Sequence, residues 1–239
     1  MPVRVAVFGS SRSTTPDSFK KSAFELGNWL ARKGYVCVNG GGGQGVMGAA
    51  NEGTRARGGR IIGIIHQQFC VDNDEDRQIP DMIVARGSDL NERKQLLMDN
   101  SDCFVVLPGG TGTFDELWDI VSHRSLGMKN LKHKPILVVN LDGFYDGFIL
   151  QLRRAFDDKL LYNQVADYMT VFKTVAEAQS WIESHEKELL STAVVRDADS
   201  RVTSRPSSND GQATPLVPVA VASFLVGAVA TMLVLRLRR

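Results

Sequence analysis

The sequence predicts an α/β fold, a Rossmann-like, doubly wound parallel sheet in a single domain. Short apolar runs alternate with amphipathic stretches through residues 1–190, which is the pattern of strands joined by crossover helices. Several runs are continuously apolar, as strands covered on both faces are. Glycine-rich turns follow three of the runs, and ligands of such sheets bind at the carboxyl ends of the strands. These observations predict a binding site at one edge of a parallel sheet.

The predicted elements can be placed in order along the chain. Apolar runs predict strands at residues 3–8, 35–39, 60–66, 82–85, 103–107, 135–140 and 169–172. Helical periodicity predicts helices near residues 16–33, 45–57, 89–100, 112–126, 144–159 and 174–189. Strands and helices that alternate in this order require right-handed crossovers, so we expect helices on both faces of the sheet.

The alternation stops at residue 191. Residues 191–214 are rich in Ser, Thr, Asp, Arg and Pro, which predicts a flexible linker. Residues 215–235 follow without a charge, and a helix of that length covers about 30 Å, so they predict a transmembrane tail anchor. A basic tail at 236–239 ends the sequence.

The two ends of the sequence predict a location. The first apolar run is short and leads into a glycine turn, so it indicates a strand rather than a signal peptide. We therefore expect a tail-anchored membrane protein with its catalytic domain in the cytosol. The short basic tail favours the mitochondrial outer membrane or the peroxisome over the endoplasmic reticulum.

The composition excludes several classes of partner and site. Basic and acidic side chains number 28 and 27, and the arginines of the tail leave residues 1–190 without a basic excess. A nucleic-acid polymer is therefore not an expected partner. Cys37, Cys70 and Cys103 form no CxxC pair, which argues against a structural zinc site or a disulfide framework. We expect neither a metal nor a cofactor.

Three glycine-bearing turns suit an anionic ligand. We call them the first glycine loop (9–12, GSSR), the second (40–45, GGGGQG) and the third (108–113, PGGTGT). Glycine lets the backbone approach a ligand, and the helix that follows directs unsatisfied N–H groups and its positive dipole end outward. Tight turns without a ligand are the alternative, but three turns at one sheet edge favour a phosphate-bearing ligand. Neither the lysine of a P-loop nor the G-x-G-x-x-G of a dinucleotide site is present.

The segment PGGTGTFDE at 108–116 fits the pattern P-G-G-x-G-T-x-x-E in every fixed position, and Arg93-Lys94 precedes it. With residues 8–11, 40–48 and 141–145, these motifs resemble the LOG family, cytokinin riboside 5′-monophosphate phosphoribohydrolases that are often mislabelled lysine decarboxylases. The resemblance covers about residues 3–173. It implies cytokinin activation, in which the N-glycosidic bond of a nucleoside 5′-monophosphate is hydrolysed to free base and ribose 5-phosphate. It also implies a homodimer.

The resemblance assigns roles to residues. It makes Arg93 and Glu116 the catalytic pair, in which the carboxylate stabilises the oxocarbenium-like sugar and Arg93 helps the base depart. Backbone N–H groups and Thr hydroxyls of residues 110–113 would hold the 5′-phosphate. Glu75 is the nearest candidate, by spacing, for an acidic contact that family members supply from a loop. The substrate-binding residues are Ser10, Gly42, Gly43, Glu75, Arg93, Lys94, Gly109, Gly110, Thr111, Gly112, Thr113, Glu116 and Ser122.

Each assignment has a purely structural alternative. Glu116 can simply complement the dipole of its helix, and Arg93 and Lys94 can form a solvated helix face. We expect Asp115 to be such a face residue. We expect Trp118 to pack in the core or in a dimer contact rather than to stack on a base.

The substrate and the activity also have alternatives. Leu90-Asn91 stands where many family members carry Met-His, close to the base pocket, so plain AMP or another nucleoside monophosphate is an alternative to a prenylated adenine nucleotide. A non-catalytic nucleotide-binding carrier or sensor is a second functional hypothesis. A pyridoxal-phosphate-dependent decarboxylase would need a Schiff-base lysine in a cofactor site, and no lysine of this sequence has that context.

Overall fold

The fold is a seven-stranded sheet in which neighbouring strands pair in parallel. The computed structural model of the chain describes residues 1–70, 75–128, 131 and 133–203. The strands are β1 (Arg4–Phe8), β2 (Val36–Asn39), β3 (Ile61–His66), β4 (Asp81–Ala85), β5 (Cys103–Val106), β6 (Ile136–Val139) and β7 (Thr170–Phe172). Their order is β4-β3-β2-β1-β5-β6-β7. The predicted α/β parallel sheet is confirmed.

Helices cover both faces of the sheet, as predicted. They are α1 (Asp17–Arg32), α2 (Gly45–Arg55), α3 (Asn91–Asp99), α4 (Thr111–Ser125), α5 (Asp146–Asp157), α6 (Val165–Tyr168), α7 (Val175–Ser184) and α8 (Glu186–Thr203). One apolar core lies under α1, α2 and α7, and a second lies under α3, α4 and α5. Every residue of β2, β3, β5 and β6 is buried, which explains why those runs are so uniformly apolar.

The chain changes direction across the sheet between β1 and β5. It runs outward from β1 to β4, returns to β5, and then runs outward to β7 on the other side. Strand β1 therefore pairs with β2 on one edge and with β5 on the other. Open α/β sheets bind ligands in the crevice at such a reversal, beyond the carboxyl ends of the strands. The first and third glycine loops leave from these two strands.

The end of the domain differs from the single helix predicted at 174–189. The structure has α7 and α8 in this region, and α8 continues to Thr203, into the stretch whose composition favours a linker. Leu189 and Arg196 of α8 are buried. Arg196 forms an ion pair with Asp102, a fully buried residue just before β5, and this contact joins α8 to the sheet.

The transmembrane helix that we expected as part of the fold is not found and that prediction is corrected. Within the described ranges, no helix is both long enough and apolar enough to cross a membrane. The two longest, α1 with 16 residues and α8 with 18, carry charged side chains along their length. The predictions of a tail-anchored localisation and of the membrane as a partner are therefore wrong. The segments 215–235 and 236–239 themselves lie outside the described residues.

Candidate active site

The three glycine loops meet where β1, β2 and β5 end. The backbone N–H of Ser10 donates to the carbonyl of Pro108 over 3.1 Å, and that of Val46 in α2 donates to the carbonyl of Ser10 over 2.7 Å. A Cβ at Gly109 would lie 2.1 Å from Oγ1 of Thr113. Any side chain there would displace the threonine, so this turn requires glycine. The loops therefore form one continuous surface at the predicted sheet edge.

Helix α4 presents its N-terminus at this surface. It begins directly after Gly110, which has no side chain to cap it. Gly110, Thr111 and Gly112 are exposed, and a Cβ at either glycine would meet no atom within 4 Å. The first N–H groups of a helix have no partner within the helix, and its dipole places partial positive charge there. The turn is therefore open to an anion such as phosphate.

Glu116 lies about one turn into α4 and pairs with Arg93 of α3. Nη1 of Arg93 donates to Oε1 of Glu116 over 2.9 Å, and the two side chains are 11% and 10% exposed. Nε of Arg93 also donates to the carbonyl of Ile64 in β3 over 3.0 Å, which fixes the guanidinium at the sheet. The second glycine loop leaves room for it, because a Cβ at Gly40 would lie 2.2 Å from Nη2. Neither residue of the pair is part of a solvated helix face.

Burial raises the pKa of the Glu116 carboxyl above its ordinary value of 4.5. The Arg93 guanidinium opposes this rise, both by charge and by its hydrogen bond, and the neighbouring Asp115 adds to it. A buried carboxyl with a raised pKa and an ion-pair partner, next to an open turn, is typical of catalytic sites. The residue fits the role of a carboxylate that stabilises positive charge or handles a proton.

Lys94 forms its ion pairs with Asp115 and Asp119 rather than with Glu116. Its Nζ lies 3.0 Å from Oδ1 of Asp115 and 3.9 Å from Oδ2 of Asp119, both on α4. Asp115 is exposed, as expected of a face residue, and its partner Lys94 is mostly buried. Lys94 of α3 therefore contacts α4, the helix that carries Glu116, but it pairs there with Asp115 and Asp119.

Glu75 lies against the second glycine loop. It forms an isolated antiparallel bridge with Gly42, and its backbone carbonyl lies close to Gly43. Its Oε1 accepts a hydrogen bond from Nε of Arg77 over 3.0 Å. The structure therefore brings Glu75, Gly42 and Gly43 together, as their shared assignment to the substrate site requires.

The predicted substrate-binding residues Ser10 and Ser122 lie in two different environments. The Ser10 hydroxyl is hydrogen-bonded to the Thr15 hydroxyl over 2.7 Å and accepts from the Arg12 backbone N–H over 3.2 Å, so it shapes the first glycine loop. Ser122 is exposed on α4, six positions beyond Glu116, which is about 9 Å farther along the axis and on a different face. Within the described part of the chain, the structure does not bring Ser122 to the Arg93–Glu116 pair.

A buried polar group behind the second glycine loop is not evident from the sequence. Asn39, Asn51 and Asp76 are buried, and Asn51 is hydrogen-bonded to both of the others. Asp76 also pairs with Arg55 over 2.7 Å. These residues are far apart in sequence and belong to different elements, so no local pattern identifies them. The one available signal was a polar residue ending an otherwise apolar strand, at Asn39.

No cluster of His, Cys, Asp and Glu side chains in the described ranges is arranged to hold a metal ion. His66 ends β3, and its Nε2 lies 2.8 Å from the carbonyl of Gly87. Cys37 and Cys103 are buried free thiols, and burial raises the pKa of Cys37 to about 11. These thiols are unreactive core residues.

The chain is similar in sequence to known proteins. A family model described as "Possible lysine decarboxylase" matches residues 47–182. The chain is 33% identical over 174 residues to the cytokinin riboside 5′-monophosphate phosphoribohydrolase of Mycobacterium tuberculosis, which covers 73% of this chain and 90% of that protein. It is 27% identical over 213 residues to cytokinin riboside 5′-monophosphate phosphoribohydrolase LOG7 of Arabidopsis thaliana, covering 88% of this chain and 96% of that protein.

The chain is also similar in fold to solved structures. One is the molybdenum cofactor binding protein from the phototrophic bacterium Rippkaea orientalis, with a TM-score of 0.58 and 20% identity over 77% of this chain and 97% of that one. Another is the molybdenum cofactor carrier protein from Chlamydomonas reinhardtii, with a TM-score of 0.57 and 23% identity over 80% of this chain and 99% of that one. At these identities the likeness is one of fold.

Proposed function

Because the chain belongs to the LOG family, we propose that it is a nucleoside 5′-monophosphate phosphoribohydrolase. It hydrolyses the N-glycosidic bond and releases free base and ribose 5-phosphate. The observation that carries this proposal is the buried Arg93–Glu116 pair, which lies one helical turn from an uncapped, exposed helix N-terminus. An anion site and a carboxylate at that separation suit the two ends of a ribose 5-phosphate group.

The anion site supports binding of the 5′-phosphate. Backbone N–H groups of Thr111, Gly112 and Thr113 in the first turn of α4 donate to the phosphate oxygens, and the helix dipole adds to the attraction. The open space beside Gly110 and Gly112 admits the phosphate close to the backbone. The phosphate then fixes the ribose next to Glu116.

The chemistry follows from charge that develops on the sugar. The C1′–N bond breaks with its electron pair remaining on the base nitrogen, and positive charge spreads over C1′ and the ring oxygen. Because Glu116 is buried, its carboxylate stabilises that charge more strongly than it would in bulk water. Water then adds its oxygen to C1′, and the proton it releases balances the proton taken up by the base.

Arg93 holds Glu116 in place and favours its charged form. Burial raises the pKa of the Glu116 carboxyl, and the guanidinium opposes that rise without cancelling it. Arg93 also lies on the helix whose first residues are expected to approach the base. That helix begins at Asn91, whose backbone and side-chain N–H groups both donate to Asp89, so the Leu90-Asn91 dipeptide has a fixed local shape.

The base preference follows from this segment. The relatives' names specify cytokinin riboside 5′-monophosphates, and many family members carry Met-His where this chain has Leu90-Asn91. Plain AMP is therefore an alternative substrate to a prenylated adenine nucleotide. Side-by-side turnover of both nucleotides decides the preference.

The experiment that tests the proposal is a product assay on the full chain. AMP and isopentenyladenosine 5′-monophosphate are incubated separately with the protein, and ribose 5-phosphate and free base are quantified. We expect equimolar base and ribose 5-phosphate from at least one of them. Absence of both products from both nucleotides would contradict the proposal.

A non-catalytic nucleotide carrier or sensor is the alternative, and the same assay separates it. Solved proteins of similar fold are described as carriers of a molybdenum cofactor, so the architecture is compatible with binding alone. A carrier would be stabilised thermally by the nucleotide without forming product. The intact Arg93–Glu116 pair favours the hydrolase, because binding alone does not require a buried carboxylate.

A further inference from the structure

Three buried polar side chains form one hydrogen-bond network behind the second glycine loop. Asn39 ends β2, Asn51 lies in the middle of α2, and Asp76 precedes β4. Nδ2 of Asn39 donates to Oδ1 of Asn51 over 2.6 Å, and Nδ2 of Asn51 donates to Oδ2 of Asp76 over 3.0 Å. Asn51 is therefore the link between the end of a central strand and the segment before β4.

The same network also forms hydrogen bonds with the backbone of the second glycine loop. Oδ1 of Asn39 accepts from the N–H of Gly41 over 2.9 Å, and Nδ2 of Asn51 also donates to the carbonyl of Gly42 over 3.2 Å. The N–H of Asp76 donates to the carbonyl of Gly41 over 2.8 Å. These bonds fix the loop and the 75–76 segment as one unit.

The charge of Asp76 is well compensated. Its Oδ2 accepts from Nη1 of Arg55 over 2.7 Å, and its Oδ1 accepts from the backbone N–H of Gln78 over 3.1 Å. A fully satisfied buried polar network makes a segment rigid, whereas loss of one member leaves costly unsatisfied groups. The network is therefore suited to setting the position of whatever the segment carries.

The segment carries Glu75. This residue bridges to Gly42, and its Oε1 accepts from Arg77. Its Oε2 is buried and makes no hydrogen bond to any residue that the structure describes. An acceptor oxygen held in this way beside a ligand-binding loop is available to a donor on the ligand.

We propose that Asn51 is a positioning residue, which acts through Asp76 to hold the Glu75 carboxylate beside the second glycine loop, where it accepts a hydrogen bond from the bound nucleotide. This inference rests on the proposed function for its ligand. It makes Asn51 act on binding of the nucleotide rather than on the bond-breaking step, because Glu75 contacts the ligand before and during reaction.

The decisive variant is Asn51→Asp. It keeps the acceptor for Asn39 but places an oxygen beside the carbonyl of Gly42 and the carboxylate of Asp76, so the link breaks without a change in size. We expect KM for AMP to rise at least about tenfold while kcat stays within about twofold. Should that variant fail to fold, Asp76→Asn weakens the same link without adding a buried charge and is measured with the same expectation.

A double-mutant cycle tests whether the effect passes through Glu75. Glu75→Ala alone should raise KM by a similar factor, and Asn51→Asp combined with Glu75→Ala should raise it no further. Multiplication of the two single effects would overturn the proposal, because it would mean that Asn51 acts on binding by another route.

Thr54→Val is the matched control. Thr54 is a buried polar residue of the same helix, but its hydroxyl donates to Ala50 and Gly27, on the side that packs against α1. We expect a loss of thermal stability without a change in KM. Amide hydrogen exchange at Gly41 and Asp76 should accelerate in Asn51→Asp and not in Thr54→Val. Equal KM changes in the two variants, or an unchanged KM in Asn51→Asp, would overturn the proposal.

The dissociation constant of AMP, measured by calorimetry on the same variants, separates this inference from the proposed function. The same measurement is made with isopentenyladenosine 5′-monophosphate. If the wild-type chain binds either nucleotide but turns over neither, the hydrolase proposal fails, and a tenfold weaker binding of that nucleotide in Asn51→Asp still supports the positioning role. If the wild-type chain neither turns over nor binds either nucleotide, both proposals are overturned.

Discussion

Gly40 lies where the guanidinium of Arg93 passes the second glycine loop. A Cβ there would be 2.2 Å from Nη2, so Gly40→Ala must displace the guanidinium from its position beside Glu116. We expect kcat to fall at least about tenfold, because a small misplacement of a catalytic group is costly. Steady-state kinetics checks this. Gly147→Ala, at a position where a Cβ meets nothing, is the control and should keep the wild-type rate.

The raised pKa of Glu116 predicts a distinctive pH dependence. Hydrolysis needs the ionised carboxylate, so activity is lost as the pH falls through the raised pKa, and the acid limb of the kcat/KM profile lies above pH 4.5. The contribution of Glu116 to the free energy of unfolding changes with pH in the opposite direction. The folded state binds this proton more tightly than the unfolded state, so the contribution of Glu116 is present below pH 4.5 and is lost as the pH rises through the folded-state pKa.

Two measurements check that prediction. The pH profile of the wild-type chain gives the acid limb, and thermal unfolding of wild type and Glu116→Gln across the same range gives the linkage. We expect the wild type to lose stability relative to the glutamine variant as the pH rises. An acid limb at or below pH 4.5 would contradict the raised pKa.

At the scale of single residues, the sequence predicted the parts of the site that local chemistry determines. The third glycine loop and Glu116 lie within one short motif, so their proximity follows from helix geometry. Asn51 and Asp76 were not predictable, because their roles depend on a contact between elements that no periodicity encodes. Lys94 was predictable as a site neighbour but not in its pairing with Asp115, which depends on how α3 and α4 pack.

Helix α8 is held to the domain by an ion pair that is almost completely buried. Arg196→Met leaves the Asp102 carboxylate buried without this partner, and we expect a loss of about 3–5 kcal/mol in the free energy of unfolding. Urea unfolding measures it. Combining it with Asp102→Asn should recover part of the loss, since the uncompensated charge is then removed.

An exposed ion pair gives the matched comparison. Arg154 and Asp158 on and after α5 lie 2.6 Å apart with side chains 71% and 45% exposed, so Arg154→Met should cost less than about 1 kcal/mol. An equally small loss for Arg196→Met would show that α8 does not depend on the buried pair.

At the scale of elements, the strands were easier to predict than the last helix. Each strand of the central sheet is a run of apolar residues that local hydrophobicity reveals. The second half of α8 has the mixed polar composition of a linker but is helical in the structure. Arg196, in this part of the helix, pairs with Asp102, which lies 94 positions earlier in the chain. A contact of that range overrides the local composition. The four-residue α6 is too short for a periodic signal.

At the scale of the whole molecule, the homodimer implied by the family resemblance stays a prediction. Phe114, Trp118, Leu126 and Met128 lie on or just after α4 and are exposed apolar residues. Exposed apolar side chains grouped along one helix can form an association surface. We expect the full chain to sediment as a dimer and Trp118→Glu to sediment as a monomer. Leu160→Glu, at an exposed leucine elsewhere, should remain dimeric, and a monomeric wild type would contradict the prediction.

The most direct test of the whole account is the rate at which Glu116→Gln releases ribose 5-phosphate from the preferred nucleotide. The variant keeps the size of the side chain but removes the charge that stabilises the sugar cation. We predict that kcat falls at least about 10²-fold while the dissociation constant of the nucleotide changes less than about threefold. Glu25→Gln, an exposed carboxylate on α1, should keep the wild-type rate. A wild-type rate in Glu116→Gln would contradict the account.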